Sequence, residues 1–442
     1  MRDMLRCRRG SAAFATVIAL VPLVGVVALG AEAGSWYVTK QHAQNAADAA
    51  AYSGALTLAC SLSSATASCD TTQTYDYRGK QFAAQNGFCN SGDSSYVGAT
   101  CPTSLPTGTS QTVQIDLGTY AAGTWTSSAA GNFVRATVSQ QQPAYLAAVL
   151  GLSTVDIGGS AIAEVQNPKD LCALGLSSTN IALTLGGGGT LTGDGCGLMS
   201  NNTVKYASTP TFSGSGWAVD AVNGCTNSGN CDPGVPYNYS MLPATNPLKA
   251  LDTASFNSRT SPSTRPCGGN VTNGQFCSLT ENSAGGVYSD LTVNSGGTLN
   301  LAPGTYFFYN ATLNFGGTVT GTNVTLVLLG TRSSISITGT VTLSAPTTNS
   351  YSSLLNGVLI DDQAPAGSSN NVTINGSSAV SLFGALYFPN VGVTWNGTTA
   401  NVNTGCTEVI ANTLTINGTA NLSTGSCASG TVAKTQVVAL VK

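Results

Sequence analysis

Apolar positions recur along this chain with three different spacings. The first is unbroken. From Gly10 to Ala31 there is no charge, and Phe14, Val17, Leu20, Val26 and Leu29 stand among further Ala, Val, Leu and Ile, with Ser11 near the start and Pro22 in the middle. A helix needs about 20 apolar residues to cross a bilayer, so the run predicts a membrane-spanning helix. Arg2, Arg6, Arg8 and Arg9 precede it. Cationic flanks stay on the cytoplasmic side, which places the N-terminus inside and everything beyond Glu32 outside. Trp36 and Tyr37 fall where an interfacial aromatic belt would lie. A cleaved signal peptide has the same basic start. Its apolar core is only about 7–15 residues long, and here the chain stays helical beyond the run. A retained anchor is therefore expected.

The second spacing is helical. Ala43, Ala47, Ala50 and Gly54 recur at heptad-like intervals, with Ala46 between them and Gln41, Gln44, Asn45 and Asp48 on the other faces. Small residues so spaced let another helix approach closely. They equally suit an Ala-rich helix lying on its own downstream domain. Anchor and stalk together take up 1–59. Residues 60–170 read as a small α+β module. It has a helix from Tyr75 stopped at Gly87, alternating strands at Thr112–Leu117 and Phe133–Val138, and a helix opened by Pro143 and ended at Gly151. A last strand runs from Val155 to Val165.

The third spacing has period two and repeats. Leu291-Thr-Val293, Thr312-Leu313-Asn, Ile335-Ser-Ile337, Val372-Thr-Ile374, Val393-Thr-Trp395 and Leu414-Thr-Ile416 are each followed closely by Gly. Their central apolar residues, at 293, 313, 337, 374, 395 and 416, are separated by 20, 24, 37, 21 and 21. The long step has room for an extra strand and a loop. A second series lies between them: Tyr306–Phe308, Leu326–Leu328, Val358–Ile360, Ala385–Tyr387 and Val409–Ile410. Short strands at a period of about 20–50 residues signal a solenoid. The expected fold of 171–442 is mainly β, a right-handed parallel β-helix. A β-sandwich is the alternative, since Asn-Gly also favours hairpin turns. Residues 181–200 resemble an earlier coil. The Pro-bearing stretch 201–286 reads as a loop or capping insertion.

Composition supports export. Only 8% of residues are charged, against a usual share near 25%, and Ser, Thr, Asn and Gly take their place. Net charge is −3, with the basic residues gathered at the N-terminus, so nucleic-acid binding has no electrostatic footprint. Cys7 precedes the anchor and belongs to a reducing compartment. The remaining twelve cysteines fall as neighbours. These are Cys60 and Cys69, Cys89 and Cys101, Cys172 and Cys196, Cys225 and Cys231, Cys267 and Cys277, Cys406 and Cys427. Pairing of neighbours in an oxidising compartment is one of several connectivities the spacing permits.

Arg8-Arg9-Gly10 before an apolar helix, Glu32 at its outer end, the Trp36-Tyr37 pair, and then Gln44-Asn45-Ala46-Ala47-Asp48-Ala49-Ala50-Ala51 resemble the N-terminus of TadE/TadG-like proteins. Those proteins assemble Flp (tight-adherence) pili in bacteria. The resemblance covers about 50 residues, and the Gln44–Ala51 run is its most specific part. It implies a single-pass inner-membrane protein with its N-terminus in the cytoplasm and its C-terminal domain in the periplasm or at the surface. The implied partners are the lipid bilayer and other Tad membrane proteins; apart from the resemblance, a surface glycan is a candidate partner of the C-terminal domain. Pilins cut by prepilin peptidase carry Glu five residues after the cleavage Gly. Here that position is Ala15, which implies an uncut anchor of the TadG type.

Chemistry-bearing residues are sparse. Nine acids follow residue 170, and only Asp361 and Asp362 are adjacent. Neighbours along a strand point to opposite faces, so they form no acid/base pair, and a Ca²⁺ role competes with a solvated turn. The single His, His42, lies in the stalk. A Ser-His-Asp triad beyond it is excluded, and without Cys-x-x-Cys a zinc site has little support. Gly186–Gly189 lacks the Lys-Ser/Thr of a phosphate loop. No catalytic residue, cofactor or metal is expected. The sequence fits a non-enzymatic anchored β-helix. The alternatives are an anchored β-helix polysaccharide lyase or hydrolase, and a glycan-binding adhesin independent of pili.

Overall fold

Arg8–Leu62 form one α-helix, α1, in a computed structural model that describes residues 8–62, 72–93, 95–227, 231–282, 285–368, 370–375, 380–397, 405–428 and 430–442. Its 55 residues extend about 80 Å at 1.5 Å per residue. Ile18, Leu20, Leu23, Val26, Val27 and Leu29 are all exposed. The helix is long and apolar enough to cross a membrane.

α1 belongs to the first of two compact units, which runs to Gln166 and includes Val438–Lys442. Its sheet is built from β1 (Ser110–Ala121), β2 (Thr124–Ser127), β3 (Phe133–Pro143) and β4 (Thr154–Val165). The antiparallel order is β2-β1-β3-β4, and Val438–Leu440 closes the far edge against β4. Alternation along β1 and β3 buries Val113, Ile115, Val134, Ala136 and Val138. The small face of α1 lies on this sheet, with Ala43, Ala46, Ala47 and Ala50 fully buried. A Cβ on Gly54 would come within 3.0 Å of Val134. The stripe that suits a second helix is therefore occupied by the chain's own module, while Asn45 is exposed and Asp48 half-buried. Helix α2, Tyr75–Gln85, is capped by Thr74 and stops before Gly87, whose φ is +84°.

One expected helix is a strand end. Pro143 closes β3 opposite Thr154, and only Ala147–Leu150 turn, as a 3₁₀ helix. β1 stops at the partner of Gln141, so Pro143 faces one neighbour only and its missing N–H leaves no ladder bond broken.

Asn167–Val437 form the second unit, a parallel β-helix. Strands pair in parallel with the strand one coil on, which rules out the sandwich. One inward column runs Val293, Phe315, Ile337, Ile374, Trp395, Ile416, Leu185 and Tyr206. Phe315 stands where Leu313 was expected. Leu313 pairs with Leu291 instead, a slip of two residues that keeps the same face. The long step from 337 to 374 holds a 3₁₀ turn, Ser353–Leu355, and loops around Val358–Asp362, with no additional strand among the described residues. Asn-Gly corners stack in file: Asn417 Nδ2 donates to Asn396 Oδ1 at 3.1 Å, and Asn396 Nδ2 to Asn375 Oδ1 at 2.9 Å.

Coil order along the axis departs from chain order. The last coil, Thr407–Ile416, is covered by Lys169–Gly175 and Ile181–Leu185, and these by Gly197–Ser200 and Thr203–Tyr206. Ala218–Ala221 follows, then Tyr237–Asn238. The chain then returns to the opposite end, where Ser263–Thr264 pairs with Val287–Tyr288. The stretch 201–286 is thus mostly coils, joined by a lateral strap over 239–262. Strap residues Met241, Ala244, Leu248, Leu251 and Phe256 share a core with Leu174, Met199, Phe307, Val327, Val358, Tyr387 and Ile410. This explains the unbroken apolar runs of the second series, which are buried on both faces. Entry and exit of the unit are adjacent, because Ala433–Thr435 pairs with Lys169–Leu171. Disulfides join Cys172 to Cys196, Cys225 to Cys231, Cys267 to Cys277 and Cys406 to Cys427 here, and Cys89 to Cys101 in the first unit. Cys7 and Cys69 lie outside the described residues.

Candidate membrane-proximal site

Glu32 ends the apolar run of α1, and its carboxylate is used within the first unit. It accepts from the backbone N–H groups of Tyr145 at 2.6 Å, Leu146 at 3.1 Å and Ala147 at 3.0 Å. These donors lead into and open the 3₁₀ turn Ala147–Leu150, where backbone N–H groups lack partners within the turn. An anionic acceptor makes such bonds shorter and stronger than neutral ones. Two further contacts continue up the helix. Lys40 Nζ donates to Gly158 O at 2.6 Å, and Gln44 Nε2 to Ser160 O at 3.1 Å. Trp36 is half-buried and Tyr37 exposed. The helix is therefore fixed to the β3–β4 loop and to β4 from Glu32 onward.

Gly159 sets how closely α1 approaches β4. A Cβ there would lie 2.6 Å from the Gln44 backbone N and Cα, atoms that cannot rotate aside. Gly159→Ala is expected to push the helix off the sheet at a cost of about 1–3 kcal/mol. Chemical denaturation of the detergent-solubilised chain would measure it, and an unchanged midpoint would show that α1 does not depend on this contact.

The acids of the β-helix are dispersed. Asp361 takes register with Val327 and Tyr387 on the strap side, and Asp362 with Leu328 on the inner side. Both are fully buried. Asp361 accepts from Gln363 Nε2 at 2.8 and 3.0 Å, and Asp362 from Ala364 N at 2.8 Å. Burial pushes the two carboxyls up, to about 8 and about 7. Nearby, Tyr387 Oη donates to Asp252 at 2.5 Å and accepts from Asn246 at 2.7 Å. Glu408, also buried, accepts from Ala433 N. Asp232, Asp290 and Glu281 each accept a backbone N–H, and Asp194 the Ser423 hydroxyl. A glycosidase needs two carboxylates reaching one open space, and Asp361 and Asp362 do not provide it. The signal for these buried groups was an acid pair closing the apolar run Val358–Ile360. The Glu32 contacts had no such signal, because their donors are backbone groups more than a hundred residues away.

A protein with one long N-terminal apolar helix, long enough to cross a membrane, and a β-solenoid is the class this fold defines. Residues 10–57 match the family model of putative Flp pilus-assembly TadE/G-like proteins, and 53–163 that of putative Tad-like Flp pilus-assembly proteins. The N-terminal region is thus similar to Tad-type Flp pilus-assembly proteins, the family the Gln44–Ala51 run implied, and the β-helix lies outside the matched residues. No curated protein and no solved structure matches the chain.

Proposed function

We propose that this is a single-pass, non-enzymatic component of Flp/Tad pilus assembly. Its N-terminus lies in the cytoplasm, and its β-helix is presented to the periplasm or the cell surface for assembly or adhesion. The observation that carries the reading is the coincidence of the matched region 10–163 with a bare apolar helix fixed to its own folded module. Lipid covers the span. Other Tad membrane proteins meet the chain through that span and the exposed face around Asn45, since the Ala43, Ala47, Ala50 and Gly54 face is taken.

Loss of the gene is expected to abolish Flp piliation, with the protein recovered in inner membranes and its β-helix cleaved by protease added to spheroplasts. Normal pili with lost attachment would favour a separate adhesin. Cleavage of polysaccharide by the purified chain, lost in Asp361→Asn, would overturn the non-enzymatic reading.

A further inference from the structure

The β3–β4 loop inverts the usual sorting of side chains. Two of its alanines face the protein, Ala144 at 3% and Ala147 at 4% exposed, while Ala148, Gly151 and Ser153 are exposed. Its large apolar residues face out: Tyr145 is 75%, Leu146 39% and Leu152 51% exposed. From Pro143 to Ser153 there is no charged residue. A loop on an aqueous surface is ordinarily polar, and a clustered apolar tip marks an interaction site.

The position of the tip identifies what covers it. Glu32 holds the loop by the N–H groups of Tyr145, Leu146 and Ala147. A helical side chain tilts toward the helix N-terminus, so these donors lie level with the last turn of the apolar run. About 20 residues at 1.5 Å each fill the roughly 30 Å hydrocarbon core, which ends that core near Ala31. The loop is thereby held at the boundary between acyl chains and headgroups, where Tyr is favoured.

We propose that this loop is a second membrane contact, with Tyr145, Leu146 and Leu152 seated in the outer interface of the bilayer that α1 crosses. The proposal rests on the reading of α1 as a membrane span. Its consequence is mechanical. A single helix can rotate and tilt freely, whereas a helix with a laterally attached loop in the same interface holds the module at one orientation to the membrane.

The test places Trp at one position at a time, as Leu146→Trp, Leu152→Trp or Val26→Trp, in the full chain, and reads the quenching of the added Trp as the difference from the unsubstituted chain, whose Trp36, Trp125, Trp217 and Trp395 set the baseline. The protein is reconstituted in phosphatidylethanolamine/phosphatidylglycerol vesicles carrying bromine near the headgroup end or near the tail end of the acyl chains. The loop positions are exposed, so the larger ring displaces nothing. The Trp at 146 and 152 should lose emission to bromine near the headgroups, and that at 26 to deeper bromine. Quenching at 26 with none at 146 or 152 would overturn the loop contact and leave the span intact. No quenching at 26 would remove the span and the proposal with it.

Discussion

Leu251→Ala and Phe256→Ala are each expected to destabilise the β-helix unit by about 3 kcal/mol, among the largest losses a single substitution in this chain would produce. Both side chains are buried against the outer row that includes Phe307, Val327 and Tyr387. Truncating a buried Leu or Phe to Ala costs about 2–5 kcal/mol, more where the gap cannot collapse. Here collapse is restricted, because a strap residue meets side chains held in register by a parallel ladder. Phe256 also packs edge-on to Phe307 with centroids 6.1 Å apart, and the Arg259 guanidinium lies 4.1 Å from the same ring. Urea unfolding of the detergent-solubilised chain, followed by near-ultraviolet circular dichroism, would measure the loss. A midpoint that did not move would mean the strap lies outside the cooperative unit. The strap also bridges coils that sequence places far apart: Asn201 exchanges two hydrogen bonds with Ala244, and Gln363 Nε2 reaches Leu251 O. Loosening it uncovers an apolar outer row on an exposed sheet, a surface prone to association.

The inward columns were legible because period-two alternation with Thr, Ser and Asn outside is the pattern of a half-buried strand. The unbroken runs at Tyr306–Phe308 and Val324–Leu329 held a further message, that both faces are covered, but nothing in them said by what. The strap escaped notice because its apolar residues are irregularly spaced and separated by Pro243 and Pro247. The coils at 203–238 are not legible because their strands are only two to four residues long. The stacking of 171–185 on Thr407–Ile416 was beyond reach for another reason. A repeat says which residues share a column, not which coils are neighbours. Similarly, the small stripe at Ala43–Gly54 announced a close approach without naming the surface approached. Gly159, the residue on the other side, became meaningful only once β4 was placed.

Raising the pH from 5 to 9 should destabilise the β-helix, and Asp361→Asn should remove much of that dependence. Asp361 and Asp362 have carboxyls raised to about 8 and about 7, in both cases first by burial. For Asp361 the Gln363 hydrogen bond opposes the shift, and Asp362 and Asp252 add to it. Asp220 and Glu408 are raised by burial as well. In the unfolded chain all four would ionise near pH 4. Between that value and the folded one the native state therefore holds more protons than the unfolded state. Stability then falls with rising pH, by up to about 1.4 kcal/mol per pH unit for each such group. The contribution is fully present below pH 4 and lost as pH passes 7 to 8 for the Asp361–Asp362 pair. Burial lowers the Lys169 ammonium, which acts in the opposite direction at the alkaline end. The buried tyrosines Tyr206 and Tyr387, raised by burial, add to the fall only above pH 10. In Asp361→Asn the side-chain oxygen can still accept from Gln363 Nε2 with no charge to desolvate, so the variant should be more stable than the parent at pH 8 and nearly equal at pH 5. Unfolding midpoints in urea at pH 5, 7 and 9 decide it. A parent whose stability is flat or rises over that range would show that these carboxylates ionise without cost, and therefore that water reaches them.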